Sequence, residues 1–346
     1  MQKQTPSNCD EVGCWVGKLP KGCAQCIKGL KSVFFATGIC GERCFYCPLS
    51  SHRKGSARNY INESLVRDER DILLEILASS SKGVGVTGGD PLIVADYVAE
   101  VIRLLKDNLG RRFHVHLYTT GKHLDEKVMN TLVNVGLDEL RIHVTGTHSW
   151  EALRIALDHN LDVGIENPAV PDFEGLKNMV SEGVKFGVDF INLNEMEVSE
   201  SNYLGIMSKG LRVNSDGLTV AGSRETALRV MAWVLEEGVP VNIHYCPARF
   251  KDMYQFRRRL IRRFRAVRMP YETLSIEGTV KWVEAPYSES GPLRRLILSG
   301  LAVRRGNTVY TSVKATKYWR ANLPNNCRVV EAYPTTPRRI LNTCEI

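Results

Sequence analysis

Three cysteines stand within eight residues, Cys40-Gly-Glu-Arg-Cys44-Phe-Tyr-Cys47, separated by three and then two residues. Thiolates bind soft metals and iron–sulfur clusters. Three of them on one loop hold three irons of a four-iron cubane, which normally takes a fourth ligand. If none is supplied nearby, one iron stays open for a small molecule. A zinc site and a chance grouping are the other readings of this spacing. Four more cysteines precede the loop: Cys9, Cys14, Cys23 and Cys26, in the pattern C-x4-C-x8-C-x2-C. Four thiolates suit structural zinc or a second iron–sulfur cluster, and the spacing does not choose between them. Free thiols are the third reading.

Seven of the ten cysteines lie in residues 9–47, and the start, Met1-Gln-Lys-Gln-Thr-Pro6, lacks the apolar core of a signal peptide. Crowded thiols without an export signal favour metal over disulfides and predict a cytoplasmic protein. The chain has no run of about 18 apolar residues, so no membrane span is expected. At 346 residues, 43% hydrophobic and 24% charged, it is long enough for one (β/α) barrel with additions.

Stepping outward from the thiols, short apolar runs alternate with amphipathic stretches. The runs are Ser32–Thr37, Gly83–Thr87, Phe113–Thr119, Leu140–Val144, Leu161–Ile165, Phe190–Leu193 and Val239–Tyr245. Helical periodicity fills Asp68–Ser79, Ile93–Leu105, Leu124–Val135, Ser149–His159, Leu176–Phe186 and Ser223–Glu237. This alternation predicts a parallel sheet with right-handed crossovers, a complete or partial (β/α) barrel. In a barrel the chemistry sits at the C-terminal ends of the strands. Those ends carry Thr37-Gly-Ile-Cys40, Gly88-Gly89-Asp90-Pro91, Thr119-Thr120, His143, Glu166-Asn167-Pro168, Asn192-Leu-Asn194-Glu195 and His244-Tyr-Cys246. Polar βα loops are ordinary, but carboxylates are seldom buried without a partner.

Cys40-x3-Cys44-x2-Cys47 after a first strand, with Gly88-Gly89-Asp90-Pro91 after a second, resembles the radical S-adenosylmethionine (radical SAM) superfamily. The nearest likeness is to its pyruvate formate-lyase activating enzyme-related branch, over about residues 33–246. The resemblance implies that Cys40, Cys44 and Cys47 ligate a [4Fe–4S] cluster whose fourth iron binds S-adenosylmethionine. One electron then cleaves the sulfonium, and the 5′-deoxyadenosyl radical abstracts a substrate hydrogen. Tyr46 resembles the family aromatic beside the adenine. Gly88 and Gly89 would let backbone approach the methionyl amine. Asp90 departs from the commoner Glu, which puts only its side-chain role in question. Thr119 and Thr120 are candidates for the methionyl carboxylate or ribose, and Glu166, Asn192 and Asn194 for ribose, adenine or substrate. Cys246 is a candidate catalytic thiol, a ligand of the N-terminal metal, or a buried thiol. His114 and His116 share one strand face, as ligands or, preferably, as polar interior positions.

The net charge is +8, and Arg249–Met269 alone holds nine basic residues against Asp252. This stretch reads as one helix with an apolar stripe of Met253, Phe256, Leu260, Phe264 and Val267. Arg258, Arg259, Arg262 and Arg265 fall near the opposite face. That face suits RNA phosphates, an acidic flavodoxin or ferredoxin serving as reductant, or solvent. Beyond it come β-rich pieces, Leu274–Val283, Leu296–Val303 and Thr308–Val313, with a turn at Gly306-Asn307. Lys314, Lys317, Arg320, Arg338 and Arg339 keep this end basic.

The expected architecture is α/β: a Cys-rich metal-binding segment (1–31), a partial (β/α) barrel of radical SAM type (32–248), a basic helix (249–269) and a small β-rich extension (270–346). The expected function is that of a radical SAM enzyme, an oxidoreductase or activating enzyme acting on an unidentified substrate. The basic helix and β-rich tail tilt this toward a macromolecule, a partner protein or RNA. The competing expectation is a non-catalytic zinc- and RNA-binding protein on a barrel scaffold.

Overall fold

The computed structural model describes residues 9–289, 291–319 and 326–346. Residues 1–8 of the Cys-rich segment and Arg320 lie outside these. The chain forms two compact units, Met1–Leu74 with Ser81–Gln255, and Glu75–Ser80 with Phe256–Ile346.

The first unit holds β1 (Cys14–Val16), β2 (Lys31–Thr37), the hairpin β3 (Tyr60–Ile61) and β4 (Ser64–Leu65), β5 (Gly83–Gly88), β6 (His114–Thr119), β7 (Glu139–Ile142), β8 (Asp162–Pro168), β9 (Phe190–Asn194) and β10 (Ile243–Cys246). They pair in the order β1-β10-β9-β8-β7-β6-β5-β2-β3-β4. The seven strands from β2 to β10 that make up its centre are mutually parallel and follow chain order. With no reversal of order, this is barrel topology rather than a doubly wound sheet. The sheet ends at β1 and at β4, so β2 and β10 do not close on each other and the barrel is partial.

Every expected apolar run contributes to one of the parallel strands. Between them run α2 (Glu69–Ala78), α3 (Ala95–Leu109), α4 (Glu126–Val135), α5 (Thr147–Leu157), α6 (Phe173–Phe186), α7 (Tyr203–Ser208) and α8 (Ser223–Glu236). Asp125 and Asp172 start α4 and α6 by accepting from Val128 N and Gly175 N, satisfying donors that a helix start leaves free. No helix among the described residues is long and apolar enough to cross a membrane.

The N-terminal segment is not a separate metal-organised piece. β1 pairs antiparallel with β10, and α1 (Lys21–Ile27) packs on β2, β5 and β6. The expected four-thiol site is not assembled: Cys9 and Cys14 are joined in a disulfide, while Cys23 and Cys26 sit on α1. Strand pairing holds Cys14 opposite Tyr245 and leaves its sulfur beside Met231, so it cannot turn toward α1.

The second unit is a six-stranded antiparallel sheet: β11 (Thr273–Leu274), β12 (Val280–Pro286), β13 (Ala302–Arg305), β14 (Thr308–Thr311), β15 (Arg328–Tyr333) and β16 (Arg339–Glu345). Gly306 and Asn307 make the β13–β14 turn. Leu296–Leu298, expected in a strand, instead ends a helix, Pro292–Leu298, whose Leu293 and Leu296 pack with Val283 and Ala285. Val280 and Trp282 alternate to the other face, where they meet Phe264.

The basic segment is not one helix. A short turn, Ala248–Phe250, and a π-helical stretch, Lys251–Phe256, precede a helix over Arg257–Val267. The wider π turn breaks the expected stripe and leaves Met253 exposed. Arg259 and Arg263 are buried, Arg259 over the Phe256 ring and Arg263 in a bidentate pair with Glu75 at 2.7–2.9 Å. Arg262 donates to Ser80 O, so part of the presumed basic face is internal structure.

Candidate active site

The loop after β2 carries Cys40, Cys44 and Cys47. Its base is pinned where Gly38 N donates to Ser56 O (2.7 Å) and Gly55 N to Gly38 O (2.8 Å). The loop after β5 lies against it: Gly89 N donates to Thr37 O (2.7 Å) and Asp90 N to Ile39 O (2.8 Å). A methyl on Gly89 would meet Ile39 O at 2.2 Å and Cys40 Cβ at 2.9 Å. Only glycine lets the two loops touch here. Gly89→Ala is therefore expected to push the cysteine loop aside and weaken S-adenosylmethionine binding about tenfold or more, roughly 1.4 kcal/mol, measured by equilibrium dialysis on reconstituted protein.

These loops border a cavity of about 450 Å³ within the first unit. Cys40, Cys44, Cys47, Tyr46, Gly88, Gly89, Thr119, Thr120, Glu166, Asn192, Asn194 and Cys246 all line it, as do Cys23 and Cys26 from α1. Asp90 does not. It is buried behind the threonines and accepts from Leu92 N (3.1 Å), Thr119 Oγ1 (2.8 Å), Thr120 N (3.2 Å) and Thr120 Oγ1 (2.5 Å). Both hydroxyl hydrogens are thus committed to a carboxylate, and the threonines offer the cavity lone pairs only. They can accept from an ammonium or a ribose hydroxyl but cannot donate to a methionyl carboxylate, which corrects one of their expected roles.

Tyr46 stands edge-on to His143, and its hydroxyl lies 2.9 Å from His143 Nε2. His143 Nδ1 is 3.0 Å from Glu166 O, which can only accept, so Nδ1 carries the hydrogen and Tyr46 donates to Nε2. Burial keeps His143 below its usual range, consistent with this neutral tautomer. Asn202 Nδ2, just before α7, holds Tyr46 O at 2.9 Å. Tyr46 is thereby fixed beside Cys47.

Glu166 accepts from Asn194 Nδ2 and Asn192 Nδ2, each at 2.9 Å, and from Arg141 Nη1 at 2.5 Å. Burial pushes its carboxyl up, but Arg141 and the two amides outweigh this and hold it below the usual range. The three residues expected to reach ribose or substrate therefore first bind one another. Arg141 was not singled out from the sequence. It also bonds Glu139 and Cys23 Sγ (3.4 Å).

Deeper lie Lys31, His114, His116 and Glu139. Lys31 Nζ is 2.8 Å from His114 Nδ1 and 3.0 Å from Val84 O, and burial pushes it down to about 7. The donor atoms of His114, His116 and Glu139 lie within 4.8 Å of one another. Glu139 is already engaged by Gly22 N (3.0 Å) and by Arg141, however. A methyl on Gly22 would meet His116 Nδ1 at 2.4 Å and Arg141 Nη2 at 2.5 Å, so backbone and guanidinium occupy the space an ion would need. This is an ionic core, in keeping with the interior placement expected of the two histidines. The signal for Glu139 and Arg141 was the i, i+2 pair in Glu139-Leu-Arg-Ile142, which puts both charges on one strand face.

A sequence model described as the Radical SAM superfamily matches residues 35–155. A protein of Methanocaldococcus jannaschii with the provisional name glycyl-radical enzyme activating enzyme is 38% identical over 273 residues, 75% of this chain and 72% of the relative. The chain belongs to the radical SAM superfamily, in its pyruvate formate-lyase activating enzyme-related branch. Among solved structures it resembles methylornithine synthase, at 13% identity and a TM-score of 0.43, over 71% of this chain and 83% of that one. It also resembles coproporphyrinogen III oxidase of Escherichia coli, at 8% identity and a TM-score of 0.41, over 96% and 76%. Membership makes the chain an enzyme that uses a [4Fe–4S] cluster and S-adenosylmethionine, and does not favour the non-catalytic zinc- and RNA-binding reading.

The cavity fits those cofactors. Three thiols line it together with Gly88 and Gly89, beside two threonines whose hydroxyls are held by Asp90.

Proposed function

We propose that this chain activates a partner protein by abstracting a hydrogen atom from it; its M. jannaschii relative bears the provisional name of an activating enzyme for glycyl-radical enzymes. The observation that carries this reading is the assembly of Cys40, Cys44, Cys47, Tyr46 and Gly89 around one cavity in a chain 38% identical to that relative. When bound, the cluster and S-adenosylmethionine supply one-electron cleavage of the sulfonium, giving methionine and a 5′-deoxyadenosyl radical that takes a hydrogen atom from the substrate. Cys40, Cys44 and Cys47 hold the cluster, and Gly88 and Gly89 present backbone to the methionyl amine. Thr119 and Thr120 accept from that amine or from ribose. Tyr46, locked by His143, bounds the adenine. The fixed carboxylate of Glu166 orients Asn192 and Asn194 toward the nucleoside or substrate. The electron comes from an acidic carrier of flavodoxin or ferredoxin type, and the protein works in the cytoplasm.

Anaerobically reconstituted, dithionite-reduced protein should convert S-adenosylmethionine to 5′-deoxyadenosine and methionine, read by chromatography. With a partner bearing deuterated glycine, the label should enter 5′-deoxyadenosine. Cleavage without label transfer would discard the protein-substrate reading and keep the superfamily chemistry.

A further inference from the structure

Three thiols besides those of the cluster loop open into the same cavity: Cys23 and Cys26 on α1, and Cys246 at the end of β10. Cys23 and Cys26 are three residues apart on the helix and so share a face. His244 precedes Cys246 by two residues on the strand, shares its face and also lines the cavity. Asn192 joins α1 to β10. Its Nδ2 donates to Glu166 Oε2, which fixes the amide's orientation, and it approaches Cys23 Sγ at 3.5 Å. Its Oδ1 lies 3.3 Å from His244 Nδ1. An amide oxygen only accepts, so Nδ1 carries the hydrogen and Nε2 keeps a bare lone pair. That Nε2 is buried without a hydrogen-bond partner, on a side chain 3% exposed. A ring with Nδ1 tied to an oxygen and Nε2 free is the arrangement of a metal-ligating imidazole.

The sulfurs are similarly prepared. Arg141 Nη2 (3.4 Å) and Asn192 Nδ2 point at Cys23 Sγ, and Gln255 Nε2 (3.5 Å) points at Cys26 Sγ. A thiol makes only weak hydrogen bonds, whereas a metal-bound thiolate accepts N–H donors that tune its centre.

We propose that Cys23, Cys26 and Cys246 hold a second iron–sulfur cluster inside the barrel, with His244 Nε2 as the fourth donor. A single zinc ion does not fit these donors as they stand. Two ligands about 2.3 Å from one ion stand no more than about 4.6 Å apart. Among the described residues, His114, His116 and Glu139 form the one set of three donors within 4.8 Å of one another. The new set is therefore too open for a single ion, as is the Cys40, Cys44, Cys47 set. Cys9 and Cys14, tied to each other, take no part.

This centre does not rest on the protein-substrate reading, and its test reads iron rather than turnover. Anaerobically purified wild type should hold two clusters, distinguishable by Mössbauer spectroscopy, about twice the iron and sulfide of either triple variant. The Cys40→Ala/Cys44→Ala/Cys47→Ala variant should keep the second cluster. Its pulsed EPR spectrum after reduction should show a strongly coupled nitrogen that is lost on adding His244→Ala. The Cys23→Ser/Cys26→Ser/Cys246→Ser variant should lose half the wild-type iron, and Cys9→Ser should lose none. The proposal is overturned if wild type holds a single cluster, if zinc replaces the second, or if a folded loop variant binds no iron. Loss of iron in Cys9→Ser would overturn the ligand assignment. Should a triple variant fail to fold, the wild-type count still decides between one cluster and two.

Discussion

Cys40→Ala is expected to bring 5′-deoxyadenosine formation down to background, a fall of at least roughly 10³-fold given the size of enzymatic rate enhancements. With Cys40 gone, only Cys44 and Cys47 of this loop would be left to hold the cluster that would supply the electron. The protein itself should survive. The Cys40 side chain is exposed, and its sulfur accepts a weak bond from Glu42 N at 3.5 Å. The loop is anchored instead through Gly38, Gly55 and Ser56. Its unfolding free energy should therefore stay within about 0.5 kcal/mol of the metal-free wild type, as for surface changes away from special features. The pairing of lost turnover with kept stability separates a ligand from a structural thiol. Turnover persisting in the variant, with its iron counted, would remove Cys40 from the cluster.

That loop was legible because its chemistry is written in three adjacent thiols, and the barrel because each strand is an apolar run followed by a helix of its own. Elements that owe their form to tertiary contact were not. β1 has three residues and α1 has seven, too few for periodicity to show, and the cysteines in them suggested a metal segment instead. Pairing with β10 and docking on β2, β5 and β6 determine both. The basic stretch misled for a related reason. Its charges read as an exposed face, for RNA phosphates, an acidic carrier or solvent, because arginine is usually exposed, while Glu75, distant in sequence, buries Arg263. At the site, residue types such as Tyr46, Glu166 and Asn192 pointed to the cavity, but their mutual bonds could not be foreseen. Asp90 shows the difference: it stands at the motif position yet serves the threonines behind the wall.

Arg141→Met should be the most destabilising single change in the barrel. The guanidinium is 2% exposed and spans two carboxylates, meeting Glu139 through Nε at 2.6 Å and Glu166 through Nη1 at 2.5 Å. Removing one partner of a buried pair costs about 3–5 kcal/mol, because the remaining charge is stranded. Arg141→Lys should recover only part of this, since an ammonium cannot fork between Glu139 and Glu166. The loss should also depend on pH. Burial pushes Glu139 up, but Arg141 and the His114 contact outweigh it and hold the carboxyl well below its usual range. A carboxyl with a depressed folded-state value contributes stability above its unfolded value, near 4.3, and loses it as pH falls through the folded value. In the Met variant burial acts on Glu139 with less opposition, so its folded value rises and protonation relieves the stranded charge. The wild-type minus variant gap, from urea unfolding, should be widest at pH 8 and narrow toward pH 5. A gap that stayed constant or widened on acidification would mean that Arg141 acts by filling space rather than by holding the two carboxylates ionised.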